Sequence, residues 1–350
     1  MVIGFRVDAS RELGMGHLVR CRTLADAWKD LGAKIVFFYC NMPEWVEHDL
    51  EQNGIQCVRL NSPADEDEVE TLINHINKLD DDLDWLIVDN YHWDDKREKA
   101  VLPYVKHLMV IDDLANRRHD CDLLLDQNDV IGLETRYLGL LPPKTCTLLG
   151  SRYALLRREF FETRKSFQKC NSGVNTLFVS FGGSDPTNET AKVLEALDSV
   201  LFANLNLKIH VVIGRHHPKI EQIETICQSD PRFHLHIQTN QMAKLMAESD
   251  LAICAGGTMT WERYCMGLPG IVIAVADNQI EIARAGQKSG IDWYLGESRQ
   301  VGVDQIRSTL QAAMNNPDRL RYARRLAMKK VDGLGVERVI EEMIKVGEKL

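Results

Sequence analysis

A chain of 350 residues exceeds the roughly 250 to 300 at which one hydrophobic core stops growing, so two domains are expected, and its 45% hydrophobic and 27% charged residues exclude a disordered or fibrous protein. The net charge of -9 sets up no broad positive field, which argues against partnership with nucleic acid or anionic membranes; any phosphate bound must be held locally. Nine scattered cysteines with no Cys-x-x-Cys pair imply free thiols in a reducing compartment, and neither a signal-peptide pattern nor a run of ~20 apolar residues is seen, so the expectation is a soluble cytoplasmic protein.

Short apolar runs alternate with helical patterns from the start. Residues 3–8 read as a strand, followed by a helix with Leu18, Cys21, Leu24, Ala25, Trp28 and Leu31 on one face and Gly32 as its stop. The alternation continues through strands at 34–39, 56–60 and 85–89, with helices near 45–53 and 65–79, and strands at 107–111, 122–125 and 145–149. Such βα repetition implies a mostly parallel sheet covered by helices on both faces. Charge rises through residues 152–169, and residues 169–173 read as an exposed polar connector, so the domains are taken as 1–155 and 156–350. A second βα series has strands at 175–181, 207–213, 233–237, 251–255 and 270–274, and the terminal helices are assigned to this second domain. The acidic run at 80–84 lacks the Gly and terminal Glu of a calcium loop, and the basic run at 319–330 has an apolar face suited to packing; both are taken as solvated surfaces.

Three glycine-rich turns between a strand and a helix stand where open parallel sheets present backbone amides to ligands. The first, Gly14-Met15-Gly16-His17, lets a substrate approach the backbone at Gly14 and Gly16 and puts His17 at a helix start, where the positive end of the dipole favours a neutral imidazole able to take a proton from water. A plain turn with His17 as a packing residue is the alternative. The pattern is not the dinucleotide fingerprint, because Val19 stands where the third glycine belongs. In the second half, Gly182, Gly183, Ser184 and Asp185 form one such turn and Gly256, Gly257 and Thr258 another; amides there can hold a diphosphate without a metal. Glu262 is placed to accept from ribose hydroxyls, and Asn278 and Gln279 to meet sugar hydroxyl or acetamido groups, with helix capping as the alternative for Asn278. Tyr91, after the strand at 85–89, is read either as a substrate contact or as a core aromatic. The pairs His216-His217 and His234/His236 lack the spacing of a zinc motif, and no metal or other cofactor is expected.

Together, Arg6-Val7-Asp8-Ala9-Ser10, Gly14-Met15-Gly16-His17-Leu18-Val19-Arg20, Gly150-Ser151-Arg152-Tyr153-Ala154-Leu155-Leu156-Arg157 and Phe181-Gly182-Gly183-Ser184-Asp185 resemble the UDP-2,4-diacetamido-2,4,6-trideoxy-β-L-altropyranose hydrolases of pseudaminic acid biosynthesis. Ile87-Val88-Asp89-Asn90-Tyr91, Ile111-Asp112-Asp113 and Cys121-Asp122-Leu123-Leu124-Leu125-Asp126-Gln127-Asn128 extend the resemblance over nearly the whole chain. It implies a GT-B-like fold, two Rossmann-like parallel-sheet domains facing a central cleft, the first handling the sugar and the second UDP. It implies His17 as the catalytic histidine, a nucleotide met by Gly256, Gly257, Thr258 and Glu262, and sugar or phosphate approached by Asn278 and Gln279. The reaction implied is metal-independent and inverting: water polarised by His17 attacks the anomeric carbon as UDP departs. The chain is longer at its carboxyl end, residues 303–350, than the compact members of that family. A GT-B glycosyltransferase using a UDP-N-acetylamino sugar and a non-catalytic UDP-sugar-binding regulator are the competing readings. The expected partners are a UDP-sugar and water, with the protein a monomer.

Overall fold

The computed structural model describes residues 1–10, 15–60, 67–166, 173–199, 202 and 206–348. The chain divides into two compact units: residues 1–128, 132–156 and 334–350 form the first, and 129–131 with 157–333 the second.

The first unit is built on a parallel sheet of β1 (Val2–Val7), β2 (Lys34–Tyr39), β3 (Gln56–Arg59), β4 (Trp85–Asp89), β5 (His107–Ile111), β6 (Leu123–Asp126) and β7 (Cys146–Leu149), ordered β3-β2-β1-β4-β5-β6-β7. Every residue of β1, β4 and β5 is buried, which is what a strand covered on both faces requires and why these segments read as mostly apolar runs, broken only by Arg6, Asp89 and His107. One face packs on Leu18, Cys21, Leu24, Ala25 and Trp28 of the Gly16–Asp30 helix, with Phe5 stacked on Phe37 at 5.0 Å between ring centroids. The other face is covered by Val69, Leu72, Ile76, Trp93 and Val101.

The second unit repeats the plan with β8 (Thr176–Ser180), β9 (Lys208–Ile213), β10 (Phe233–Ile237), β11 (Leu251–Ala255), β12 (Gly270–Ala274) and β13 (Trp293–Glu297), ordered β10-β9-β8-β11-β12-β13, again all parallel. In both sheets the first strand of the unit lies beside one that follows three crossovers later: β1 beside β4, and β8 beside β11. There the winding reverses, and the loops leaving the two strands diverge and open a crevice at their carboxyl ends.

Two sequence expectations are revised. β13 was missed because it is a half-buried edge strand, its register shifting against β12 and its backbone passing through Gly296 at φ 128°, so it shows no continuous apolar run. The terminal helix Gly335–Gly347, assigned above to the second domain, packs Val336, Val339, Ile340 and Met343 into the core of the first unit. Gly335 fixes that return: a Cβ there would fall 2.2 Å from the Ala154 carbonyl oxygen. Of the connector at 169–173, all but Gly173 lies outside the described residues.

Candidate functional site

In the first unit the parallel register sets Val7 at the end of β1 opposite Asp89 at the end of β4. The chain leaves β1 toward the Gly16–Asp30 helix, whose first turn carries no side-chain cap, and His17 stands in that turn. His17 Nδ1 lies 2.6 Å from Asp89 Oδ1. Arg20, three residues on and so on the same helix face, grips the same carboxylate with both edges, Nε to Oδ2 at 2.6 Å and Nη2 to Oδ1 at 2.7 Å, while Nη1 donates to Asp113 at 3.0 Å. Burial works to raise the Asp89 carboxyl, yet Arg20 and then His17 outweigh it and hold it well below the usual carboxylate range. A carboxylate accepts only, so Nδ1 is the nitrogen that donates to Asp89, and in the neutral imidazole this leaves the lone pair on Nε2. Tyr91 closes the arrangement from the side, its ring edge-on to His17 at 4.7 Å and 89°.

His17, Asp89 and Tyr91 border a cavity of about 110 Å³ lined also by Arg6, Asp8, Cys40, Asn41, Glu68, Asn90 and His92. Asp8, at the end of β1, accepts from the amides of Cys40 and Asn41 and from Asn90 Nδ2, and pairs with Arg6 at 2.8 Å. Beyond the cavity, a buried polar layer under the ends of β5 and β6 fastens Asp112, Asp126, Glu98, His119 and Tyr137 together. Burial opposes a charged His119, but Asp112 and Glu98 outweigh it and push its pKa up to about 9, whereas burial pushes the Asp126 carboxyl up to about 7.

In the second unit the turn after β8 is exposed at Gly182, Gly183 and Ser184, with Gly182 at φ 86°. Its backbone rests on the turn after β9: Gly214 N–H donates to the Gly183 carbonyl at 3.1 Å, and a Cβ on Gly214 would stand 2.4 Å from that oxygen. Asp185, expected above to face substrate, is fully buried, and its carboxylate takes the amides of Glu189 and Thr190 at 2.9 and 2.7 Å. It caps the following helix because the first amides of a helix have no internal partner. After β11, Gly257 is half-buried and Thr258 exposed, but the Gly256 N–H is already engaged: Gln279 Oε1 accepts it at 3.2 Å together with the Val275 N–H at 3.0 Å. Gln279 therefore ties the β11 and β12 loops together. Glu262 accepts from Arg157 at 3.2 Å, and burial raises its carboxyl despite that partner. Asn278 is exposed beside Gln279.

The structure thus brings His17 and Tyr91 to one cavity, leaves Gly16 off its lining at the start of the helix that carries His17, and turns Asp185 and Gln279 to supporting roles in the other unit. Gly14 lies outside the described residues. Asp89, Arg20, Arg6 and Asp8 were not singled out as site residues, although Arg20 stands at i+3 from His17 and Asp89 ends an apolar strand in register with β1. Among the described residues no group of three or more His, Cys, Asp and Glu is arranged to hold a metal ion, and no helix is long and apolar enough to cross a membrane.

Residues 176–338 match the glycosyltransferase family 28 C-terminal domain. The chain is 26% identical over 346 residues to the spore coat polysaccharide biosynthesis protein SpsG of Bacillus subtilis, covering 97% of this chain and 96% of that protein. It is 25% identical over 295 residues to the UDP-2,4-diacetamido-2,4,6-trideoxy-beta-L-altropyranose hydrolase of Campylobacter jejuni, covering 83% and 98%. An uncharacterized Methanocaldococcus jannaschii protein is 25% identical over 281 residues, 78% of this chain but only 55% of that one. Among solved structures, Acinetobacter baumannii MurG aligns with a TM-score of 0.68 at 12% identity, covering 98% and 99% of the two chains. A putative UDP-N-acetylglucosamine 2-epimerase from Listeria monocytogenes gives 0.68 at 13%, covering 100% and 97%. The two parallel-sheet units are those of a GT-B fold, and the second carries the family 28 carboxyl-terminal domain pattern.

Proposed function

We propose that this protein hydrolyses a UDP-linked diacetamido-trideoxy sugar, UDP-2,4-diacetamido-2,4,6-trideoxy-β-L-altropyranose, to free sugar and UDP. The observation that carries the reading is the 2.6 Å contact of His17 Nδ1 with an Asp89 carboxylate itself clamped by Arg20, at the edge of a cavity. Such a pair fixes the tautomer that leaves Nε2 basic and stabilises the imidazolium formed when it takes a proton. The name of the Campylobacter relative and the motifs quoted above support the choice of sugar.

In the proposed reaction His17 Nε2 removes a proton from water as the water oxygen bonds to the anomeric carbon. The bond from that carbon to the diphosphate oxygen breaks, its electron pair leaves with UDP, and the configuration inverts. UDP is a good leaving group, so the acid half of the two-carboxylate glycosidase pair is dispensable. The first unit supplies the base, with Gly16 and Tyr91 against the sugar. The second holds UDP through the turns at Gly182, Gly183, Ser184, Gly257 and Thr258, with Glu262 and Asn278 on ribose or sugar hydroxyls, while Asp185, Gly256 and Gln279 keep those turns in shape. The match to a glycosyltransferase domain supports a second reading, in which the same dyad deprotonates an acceptor hydroxyl rather than water.

Proton NMR of the protein with this UDP-sugar in chelator, beside His17→Ala, tests both. Free sugar of inverted configuration, formed without acceptor and lost in the variant, is the expected result. UDP release that requires an added acceptor favours transfer, and equal turnover by the variant overturns the role of His17.

A further inference from the structure

Arg6, the fifth residue of β1, is almost wholly inside the protein, 1% exposed, and lines the cavity that His17 borders. Two of its three guanidinium nitrogens are committed. Nε donates to Glu68 Oε1 at 2.6 Å, and Nη2 pairs with Asp8 Oδ2 at 2.8 Å and reaches Cys40 Sγ at 3.3 Å. Nη1 has no hydrogen-bond partner among the described residues. A buried guanidinium N–H without an acceptor is costly, and because Arg6 lines the cavity an acceptor can be supplied from there once the side chain shifts to uncover Nη1.

The neighbours say what kind of acceptor. Arg6 and Arg97 face Asp8 and Glu68, two positive charges against two negative, so an anion would find no excess positive charge. The lone pairs nearby are largely taken. Asp8 Oδ1 accepts from the Cys40 and Asn41 amides and Oδ2 from Arg6 and Asn90; Glu68 accepts from Arg6, Trp93 Nε1 and Arg97. A hydroxyl placed on Nη1 would bring a proton of its own into a shell whose acceptors are in use. A carbonyl oxygen brings none.

We infer that Arg6 is a specificity-determining residue whose Nη1 donates to the carbonyl oxygen of an acylamino group on the sugar. The inference rests on the proposed function for the identity of the sugar, and its test separates the two. The His17→Ala protein and its Arg6→Lys derivative are titrated calorimetrically with UDP-2,4-diacetamido-trideoxy-altrose and with the two analogues in which one acetamido group is replaced by hydroxyl. Lysine keeps the positive charge between Asp8 and Glu68 and removes Nη1. The expected result is a roughly tenfold or greater weakening by Arg6→Lys for the parent sugar and for the analogue retaining the recognised acetamido group, and none for the other. Equal weakening for all three ligands, no weakening, or no preference for acylated ligand in the His17→Ala protein overturns the assignment. Should the lysine derivative not melt cooperatively, the 15N-arginine spectrum of the His17→Ala protein reads the same contact. Arg6 Nη protons protected by the parent sugar and by one analogue only support the inference, and protection by none or by all three overturns it. The binding pattern persisting in a wild-type protein that releases no UDP would remove hydrolysis and leave the assignment of Arg6 standing.

Discussion

The two sheets reverse their winding at the same topological place and fill it with opposite chemistry. In the first unit the end of β4 carries Asp89, locked to His17 and Arg20 of the following Gly16–Asp30 helix at 2.6 to 2.7 Å, and Asp8 after β1 is held separately by Asn90 at 3.0 Å and by Arg6 at 2.8 Å. In the second the ends of β8 and β11 carry glycines, and the polar side chains around them serve the backbone: Asp185 caps the helix after β8, and Gln279, after β12, braces the β11 loop. A side-chain site can move a proton. A backbone site can only offer dipoles, which suits a group whose charge needs stabilising but not protonating. On the proposed function, one architecture would furnish a reactive half and a holding half without any change in strand order.

The sharpest way to break that contrast is His17→Ala, for which kcat is expected to fall roughly 10³-fold in a UDP-release assay while the affinity for UDP alone is unchanged. A variant that lost both together would mean the halves do not divide the work.

Next in size is a stability effect confined to the first unit. His119 has its pKa raised to about 9 by Asp112 and Glu98, against an ordinary value of 6.5. The folded state binds this proton more tightly than the unfolded chain, so the stabilisation is fully present below pH 6.5 and lost as pH rises through 9. It amounts to something on the order of 3 kcal/mol. Urea denaturation at pH 6.5 and 9.5 should show the loss in the parent and not in His119→Gln.

Asp89→Asn comes third, with a fall in kcat of roughly 10²-fold, because an amide can present its NH2 to Nδ1 and favour the wrong tautomer. Thermal melts beside the kinetics separate this from the disturbance of leaving Arg20 with less negative charge.

The smallest expected effect belongs to the holding half. Gln279→Ala removes the acceptor for the Gly256 and Val275 amides and should weaken UDP binding by about 1 kcal/mol with kcat at saturation unchanged. Gln279→Glu, which keeps the accepting oxygen, should restore much of the loss.

The strands were legible in the sequence wherever burial on both faces writes a mostly apolar run, as in β1, β4 and β11, and became illegible at β13, where the strand is half-exposed and kinked at Gly296. His17 was legible because a histidine at the start of a helix after a glycine turn is a local pattern. Its partner Asp89 was not, since the contact spans 72 positions and exists only because β4 lies beside β1. Asp185 was read toward substrate because a turn residue and a capping residue look alike until the helix it caps is seen. The terminal helix showed its apolar stripe plainly, but a stripe does not say which sheet it will cover.

That helix has a consequence for how the protein is made. Val336, Val339, Ile340 and Met343 join the core that contains Leu18, Cys21 and Trp28, so the covering of that face of the first sheet is incomplete until residues 336–343 have been synthesised. The second unit, spanning residues 157–333, has all but three of its residues in one continuous stretch and can close sooner. Growing from its amino end, the chain completes the core of its first unit only after the second has been made, and a nascent chain stalled before residue 336 leaves apolar side chains of that core uncovered for chaperones to shield.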